Sequence, residues 1–501
     1  MIDDRTPVLI GAGQLTQRDV EPAEAKEPLA MMVDVARGAA TDAGVNANVL
    51  QRLDSVAVAN ILSWHYSNAP GLLAERLGAR PAQQIYTAVG GNTPQFLINE
   101  TAGQIAAGRV RFALIAGAEA VRTLLRARRQ NVELHWTSGG AGTPIILGES
   151  KHGTSDHEMH HGLHLPTTIY PLFENALRAH YALSLAGHRQ RLGTLCSRMS
   201  AVAARNRYAW FQQERSAEEI TTVTAQNRFI GFPYPKYMNA IMEVDQAAAV
   251  LMTSVAGARE LGVDPSRWVY LWGAADTRDL WFVSDRVNYF SSPAIRLAGQ
   301  QALAMAGIDI AQIDFFDLYS CFPSAVQIGR DMLGIAADDP RPLTVTGGLP
   351  YHGGPGNNYT MHAVATMMDK LRVAPGTKGL VTGLGWYVTK HSLGVYSAAP
   401  PPRHWAREEP AVYQAELDAM PHPTLALSPR GHGTIETYTV LHDRDGTPIR
   451  GIVIGRLADG QRFLANTPDD RAVLEALMST EGVGRAGTAS SSDGTNRFEP
   501  Q

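Results

Sequence analysis

The densest run of chemically capable side chains lies between Val345 and His362, with TGGLPYHGGPGNNYTMH at its centre. His352, Asn357, Asn358, Tyr359 and His362 supply donors and acceptors within this window. Five glycines (Gly347, Gly348, Gly353, Gly354, Gly356) permit sharp turns and a close approach of ligand to main chain. A long structural turn would have the same composition, so the run gains meaning only from its place in a larger pattern. Gly90-Gly91-Asn92-Thr93-Pro94 closes a strand-like segment and opens a helix-like one. Asn92 or Thr93 would cap that helix, and Pro94 suits its first position. Free amides there would favour an anion or a developing oxyanion, although an ordinary cap would look the same. Phe316 to Phe322, FDLYSCF, sets Tyr319 and Cys321 before another helix, in what reads as the matching place of a repeat to Gly90–Pro94. A cysteine at a helix start would have a lowered pKa; a buried apolar cysteine would be inert. His157-Glu158-Met159-His160-His161 matches HExxH, which binds zinc when both histidines share one helix face. Gly153 to Asp156 before it, and Gly162 and Pro166 after it, read as a polar loop, so a zinc hydrolase ranks last.

These segments need a scaffold, and the chain has material for one. Its 501 residues suggest two to four domains, and 45% hydrophobic with 18% charged residues is ordinary globular composition. A net charge of −4 gives no sign of a nucleic-acid partner. Two cysteines argue against a disulfide framework and suit a reducing, cytoplasmic setting. No secretory signal and no transmembrane helix is expected.

Strands at Pro7–Gly13, Asp54–Asn60, Gln84–Val89 and Phe112–Glu119 alternate with helices at Pro28–Gly44, Pro70–Gly78 and Pro94–Ala107. This alternation implies a mostly parallel, layered α/β sheet. The second half repeats it: a helix to Gly307, a strand from Ile313, a helix from Pro323 to Leu333, the glycine-rich loop, a helix from Tyr359 to Leu371, and strands at Gly379–Gly385 and His391–Ala398. Two similar halves place a site between them, at loops beyond strand ends. A long insertion, about 125–234, carries a polar loop (131–166) and two helices, one of which buries Cys196 on its apolar stripe. After a proline-rich linker at 399–410 comes a small antiparallel β unit at 411–480 with a closing helix. The Gly, Ser and Thr rich residues 481–501 read as disordered.

PVLIGAGQLTQR, QIAAGRVRFALIAGAEA, VDQAAAVL, DLYSCF and GGLPYHGGP, in that order, resemble the thiolase superfamily. The resemblance is closest to the sterol-carrier-protein-linked thiolases and the thiolase-like acetyl-CoA acetyltransferase homologues, and it covers about residues 5–398. It implies a thiolase fold: two duplicated α/β halves in five layers αβαβα, namely 1–265, which includes the loop domain 125–234, and 266–398. It also implies which positions would do chemistry, and those are altered. Gly91 stands at the nucleophilic cysteine, Tyr319 at the asparagine or histidine that positions a water, Gly354 at the activating histidine, and Val381 or Gly383 at the last cysteine. A Claisen condensation through a cysteine-bound acyl group then has no nucleophile in the expected place.

The resemblance implies an acyl-CoA or CoA ligand, with no tightly bound cofactor. Two readings follow. One is a non-thiolytic acyl transfer or hydrolysis, with His352, Tyr319 and Cys321 as candidate catalytic residues. Gly90, Gly91, Asn92, Thr93, Asn357, Asn358 and Tyr359 would then bind substrate or oxyanion. The other is a catalytically inactive homologue that binds CoA esters or a protein partner. The β unit at 411–480 has an OB-like character; it is not notably basic, which favours acyl-CoA handling or covering the cleft over nucleic acid. Thiolases form dimers or tetramers, and the added unit leaves homodimer and monomer both open.

Overall fold

In the computed structural model, which describes residues 2–501, the first strand (Pro7–Thr16) lies at the centre of a ten-stranded sheet. On one side it pairs antiparallel with Asp245–Ser254; on the other it meets Val269–Arg278 through only two residue pairs, Val8 with Tyr270 and Leu9 with Val269. That short join marks the boundary between the halves. The first half continues from Asp245–Ser254 through Phe112–Ala120, Ser55–Val58 and Gln83–Thr87 to a short edge strand, Ile145–Leu147. The second runs from Val269–Arg278 through Lys390–Ser397 and Lys378–Gly385 to Phe315–Asp317.

The expectation of a mostly parallel sheet is corrected: the sheet is mixed. Parallel pairing is confined to the outer strands of each half, while the central strands are antiparallel. The reason is connectivity. Lys378–Gly385 and Lys390–Ser397 are joined by a tight turn, and a turn that short permits only an antiparallel pair.

Layering follows the apolar faces. Helices Pro28–Asp42 and Ala69–Leu77 cover the outer face of the first half, and Pro293–Ala306 and Pro323–Met332 that of the second. The first helix comes close because strand position 13 is glycine; a Cβ there would lie 2.9 Å from the Val35 carbonyl carbon. Between the halves run two buried helices, Thr93–Ala106 and Tyr359–Val373. Leu97, Ile98 and Ala102 of one and Val364, Met367 and Met368 of the other share a core with the inward faces of strands from both halves. This is the five-layered αβαβα thiolase arrangement. No helix of the described residues is long and apolar enough to cross a membrane.

The insertion holds four helices, where two were expected: Asp156–His160, Pro166–His180, Leu185–Ala204 and Ala217–Thr221. The two short ones are single turns fixed by serine caps, which carry little periodic signal. Cys196 is buried as expected.

The C-terminal unit is a five-stranded barrel. Gly431–His442 pairs with both Pro448–Leu457 and Ala486–Ser492, and the ring closes through Arg462–Asn466 and Thr495–Pro500. Helix Arg471–Ser479 bridges the third and fourth strands, which fits the OB-like expectation. Two expectations are corrected here. Residues 486–500 are not disordered but form the last two strands. Their composition hides an alternation in which Gly487, Ala489, Asn496 and Phe498 point inward, and period-2 burial on small residues is invisible to composition. Helix Pro410–Asp418 belongs with the second half, because Tyr413 and Leu417 pack on Ala294 and Leu297.

The barrel is tied to the insertion. The strand pair at Leu441 and Gly231 joins the two units. Arg178 makes a two-pronged contact with Glu481 at 2.5 and 2.6 Å, and the Asn175 amide donates to the carbonyls of Phe232 and Tyr438.

Candidate functional site

Tyr359 is the hub of the expected cluster. It opens the second buried helix, and its hydroxyl donates to Asp317 Oδ1 at 3.0 Å and lies 2.6 Å from Thr346 Oγ1. Asp317 Oδ2 accepts from Thr344 Oγ1 and from the amides of Val345 and Thr346, which pins the start of the glycine-rich run to the end of the Phe315–Asp317 strand. Burial raises the pKa of this carboxyl. Tyr319 and His352 each stand edge-on to Tyr359, with ring centroids 5.5 and 5.8 Å away, and His362 lies 5.1 Å beyond His352. Asn357 accepts from the Gly90 amide at 2.8 Å, Thr360 donates to the Gly91 carbonyl at 2.8 Å, and the Asn358 amide donates to Gly117. The two glycine segments and FDLYSCF therefore meet between the halves.

The meeting point is packed shut. A Cβ on Gly91 would overlap the Tyr319 hydroxyl and lie 2.6 Å from the Leu384 carbonyl oxygen and 2.7 Å from Tyr319 Cζ. A Cβ on Gly383 would lie 2.8 Å from Asn92 Cα, and one on Gly354 would lie 3.2 Å from a Leu349 methyl.

Several expectations for these residues change. Cys321 is not an activated thiol; the helix begins two residues later, at Pro323, and burial pushes the thiol up to about 12. His352 is not a base poised near neutral pH, because complete burial lowers it to about 4; its Nε2 has no hydrogen-bond partner. Burial also raises the Tyr319 hydroxyl. Neither Asn92 nor Thr93 caps the first buried helix: the Asn92 amide donates to Ser392 Oγ at 3.1 Å, and the Thr93 hydroxyl to the Gly90 carbonyl at 2.8 Å. Finally, FDLYSCF does not match Gly90–Pro94 in the repeat. The Phe315–Asp317 strand pairs parallel with Lys378–Gly385 as Ser55–Val58 pairs with Phe112–Ala120, so FDLYSCF corresponds to the segment after Val58. The true counterpart of Gly90–Pro94 is the end of the glycine-rich run, since each opens a buried helix.

The HExxH segment is structural. Ser155 and Glu158 form a capping box, and Glu158 also accepts from the Ser284 amide at 2.7 Å. His161 Nδ1 lies 2.8 Å from the His157 carbonyl, which can only accept, so the proton sits on Nδ1. Nε2 then accepts from the Asn496 amide at 3.1 Å in the last barrel strand. Both ring nitrogens are used, and no lone pair remains for zinc. Among the described residues no cluster of three or more His, Cys, Asp or Glu side chains could hold a metal ion.

Sequence reasoning missed what lies on the far side of Gly90–Thr93. A cavity of about 290 Å³ is lined there by Asn92, Phe96, Glu149, Trp281, Lys390 and Gln414, among others. The Lys390 ammonium donates to the Val89 carbonyl at 2.6 Å, and burial lowers it to about 8. No motif surrounds Lys390; only its rarity, as one of six lysines, was visible. A second cavity, of about 450 Å³, is lined by Gln14, Arg205, Arg207, Tyr208, Phe316 and Lys370, among others.

Comparison with known proteins adds context. A family model described as the thiolase-like protein type 1 additional C-terminal domain matches residues 413–495. The chain is 38% identical to a monomeric SCP2-thiolase-like protein type 1 from Mycobacterium smegmatis, with 99% of each chain covered and a TM-score of 0.86. The Ltp2–ChsH2(DUF35) aldolase is 17% identical at a TM-score of 0.60, covering 79% of this chain and 99% of that one, and so shares the fold. An acetyl-CoA acetyltransferase of Schizosaccharomyces pombe is 28% identical over 129 residues, or 26% of this chain. That match spans 30% of the curated relative's length.

Proposed function

This chain belongs to the SCP2-thiolase-like proteins of type 1, and from that premise we propose that it binds a coenzyme A thioester as a ligand and does not carry out thiolysis. The observation that carries the proposal is the Tyr319 hydroxyl. It fills the space any side chain at Gly91 would need, and Gly91 is where the resemblance puts the nucleophile. Removing the nucleophile of a covalent mechanism abolishes most of the rate while binding can persist. Acyl transfer or hydrolysis through His352, Tyr319 and Cys321 is the weaker reading. All three are buried; the Tyr319 hydroxyl and the Cys321 thiol stay protonated at neutral pH, and the lowered His352, though neutral, is too weak a base to activate them.

Relatedness to acetyl-CoA acetyltransferases supports the ligand class. So does the 450 Å³ cavity, in the size range of small-molecule sites, where Arg205, Arg207 and Lys370 offer positive charge to phosphates. Asp314 and Asp369 on the same wall limit that excess.

The test is calorimetric and thermal titration of the full chain with CoA, acetyl-CoA and a longer acyl-CoA, beside a thiolysis assay. Binding without thiolysis is expected, with a stabilisation of about 2.7 kcal/mol at a hundredfold excess over Kd. Failure of all three to bind, or thiolytic turnover, overturns the proposal.

A further inference from the structure

The cavity beside Lys390 has features that the thiolase-like site lacks. It lies at the start of the first buried helix, on the side of Gly90–Thr93 away from Tyr319. Phe96, Trp281, Pro410 and Ala411 give it apolar walls. Lys390 is the only lysine in its lining and has no salt-bridge partner among the described residues. The other charges on the wall are engaged. Asp276 pairs with Arg407 at 2.5 Å, and Arg278 with Asp418 at 3.1 Å and Glu149 at 3.9 Å.

The backbone that presents Lys390 is held under strain. Trp386 and Val388, in the turn just before it, adopt φ of +57° and +55°. For a β-branched residue this is a rare conformation that persists only where surroundings enforce it. Buried Arg286 enforces it, donating to the carbonyls of Val388 at 2.6 Å and Tyr387 at 2.9 Å and to Thr389 Oγ1 at 2.8 Å. Tyr170 donates to the Trp386 carbonyl at 2.9 Å. The turn thus fixes where Lys390 begins its strand.

We propose that this cavity is a binding site for a small, neutral carbonyl compound with an apolar body, and that Lys390 Nζ captures it as an imine. In the step, the neutral amine adds through its lone pair to the carbonyl carbon, and the carbonyl oxygen takes up a proton. The resulting carbinolamine loses water, so one C=O bond is replaced by one C=N bond with no change of oxidation state. Burial supplies neutral amine near physiological pH. With the other wall charges paired, and with Lys390 neutral in the reacting form, the cavity holds no free cation for an anion among the described residues, so a neutral carbonyl fits better than a carboxylate or phosphate. A site around a catalytically unrelated amine is separate from the CoA-ester reading above and stands if that reading fails.

The experiment uses the full-length protein, benzaldehyde as probe and cyanoborohydride to reduce the imine to a stable secondary amine. Peptide mapping then compares all six lysines. At pH 7, Lys390 is expected to label at least about tenfold faster than each of the other five, because more of it is neutral. The excess should vanish in urea, and a Lys390→Arg variant that melts like the parent should lose only the fast-labelling site. 4-Carboxybenzaldehyde, which carries a negative charge, should label Lys390 more slowly than benzaldehyde. Equal labelling of all six lysines overturns the proposal. Faster labelling by the anionic probe also overturns it, in favour of an anion site.

Discussion

The Gly90–Thr93 turn has two sides, and they have had opposite fates. On one side Tyr319 and the Leu384 carbonyl press against Gly91, leaving no room for a side chain. On the other side Lys390 stands over a cavity of about 290 Å³. One helix start thus borders both a filled site and an open one. The side that matches a known catalytic layout is the one that has been filled. Resemblance directs attention to positions, and packing decides whether those positions can still act.

The contrast can be broken by experiment. The largest effect is expected from Gly91→Cys, which restores a side chain to the filled side. Overlap with Tyr319 and the Leu384 carbonyl should cost about 3 kcal/mol in urea unfolding. In a double-mutant cycle with Tyr319→Ala, a favourable coupling of at least about 1 kcal/mol is expected; simple additivity would show that the two residues do not compete for space.

A smaller effect concerns pH. His352 is held at about 4 in the folded protein, against an ordinary value of 6.5. As pH falls below 6.5 the unfolded chain takes up a proton that the folded chain refuses, so stability declines until about pH 4. From pH 7 to pH 5 this residue should account for about 2 kcal/mol. His362 and His157 are lowered in the same direction, and His352 is one cause of the His362 shift, so His352→Gln should flatten the profile by its own share and by part of that of His362. An unchanged profile would mean that the filled side admits water and protons.

The smallest effect is expected on the open side. Lys390→Met gives up a desolvated amine and one hydrogen bond to the Val89 carbonyl, and the two losses oppose each other. Stability should change by no more than about 1 kcal/mol. If Lys390→Met destabilises as much as Gly91→Cys, Lys390 is a structural strut and the comparison fails.

Much of the architecture was legible before any coordinates. The alternation of strands and helices, the two halves, the insertion and a small C-terminal β unit follow from hydrophobic period and turn residues, which are local properties; the OB-like character of that unit came with the resemblance. The clustering of His352, Tyr319 and Tyr359 followed from ordered motifs. Less legible were the central strands 245–254 and 269–278, buried on both faces and so without alternation, and the barrel strands at 486–500, whose small residues resemble a linker.

The sequence by itself determined which residue types were available: no cysteine at 91, a glycine at 354, six lysines and an HExxH string. Only tertiary structure decided what they can do. It spent both nitrogens of His161 on a helical turn and a barrel strand, buried the Cys321 thiol and filled the space beside Gly91 with a tyrosine from the other half. It also desolvated Lys390 at the mouth of a cavity. Reactivity depends on desolvation, on hydrogen-bond partners and on free volume, and each of these is set by residues far away in the chain.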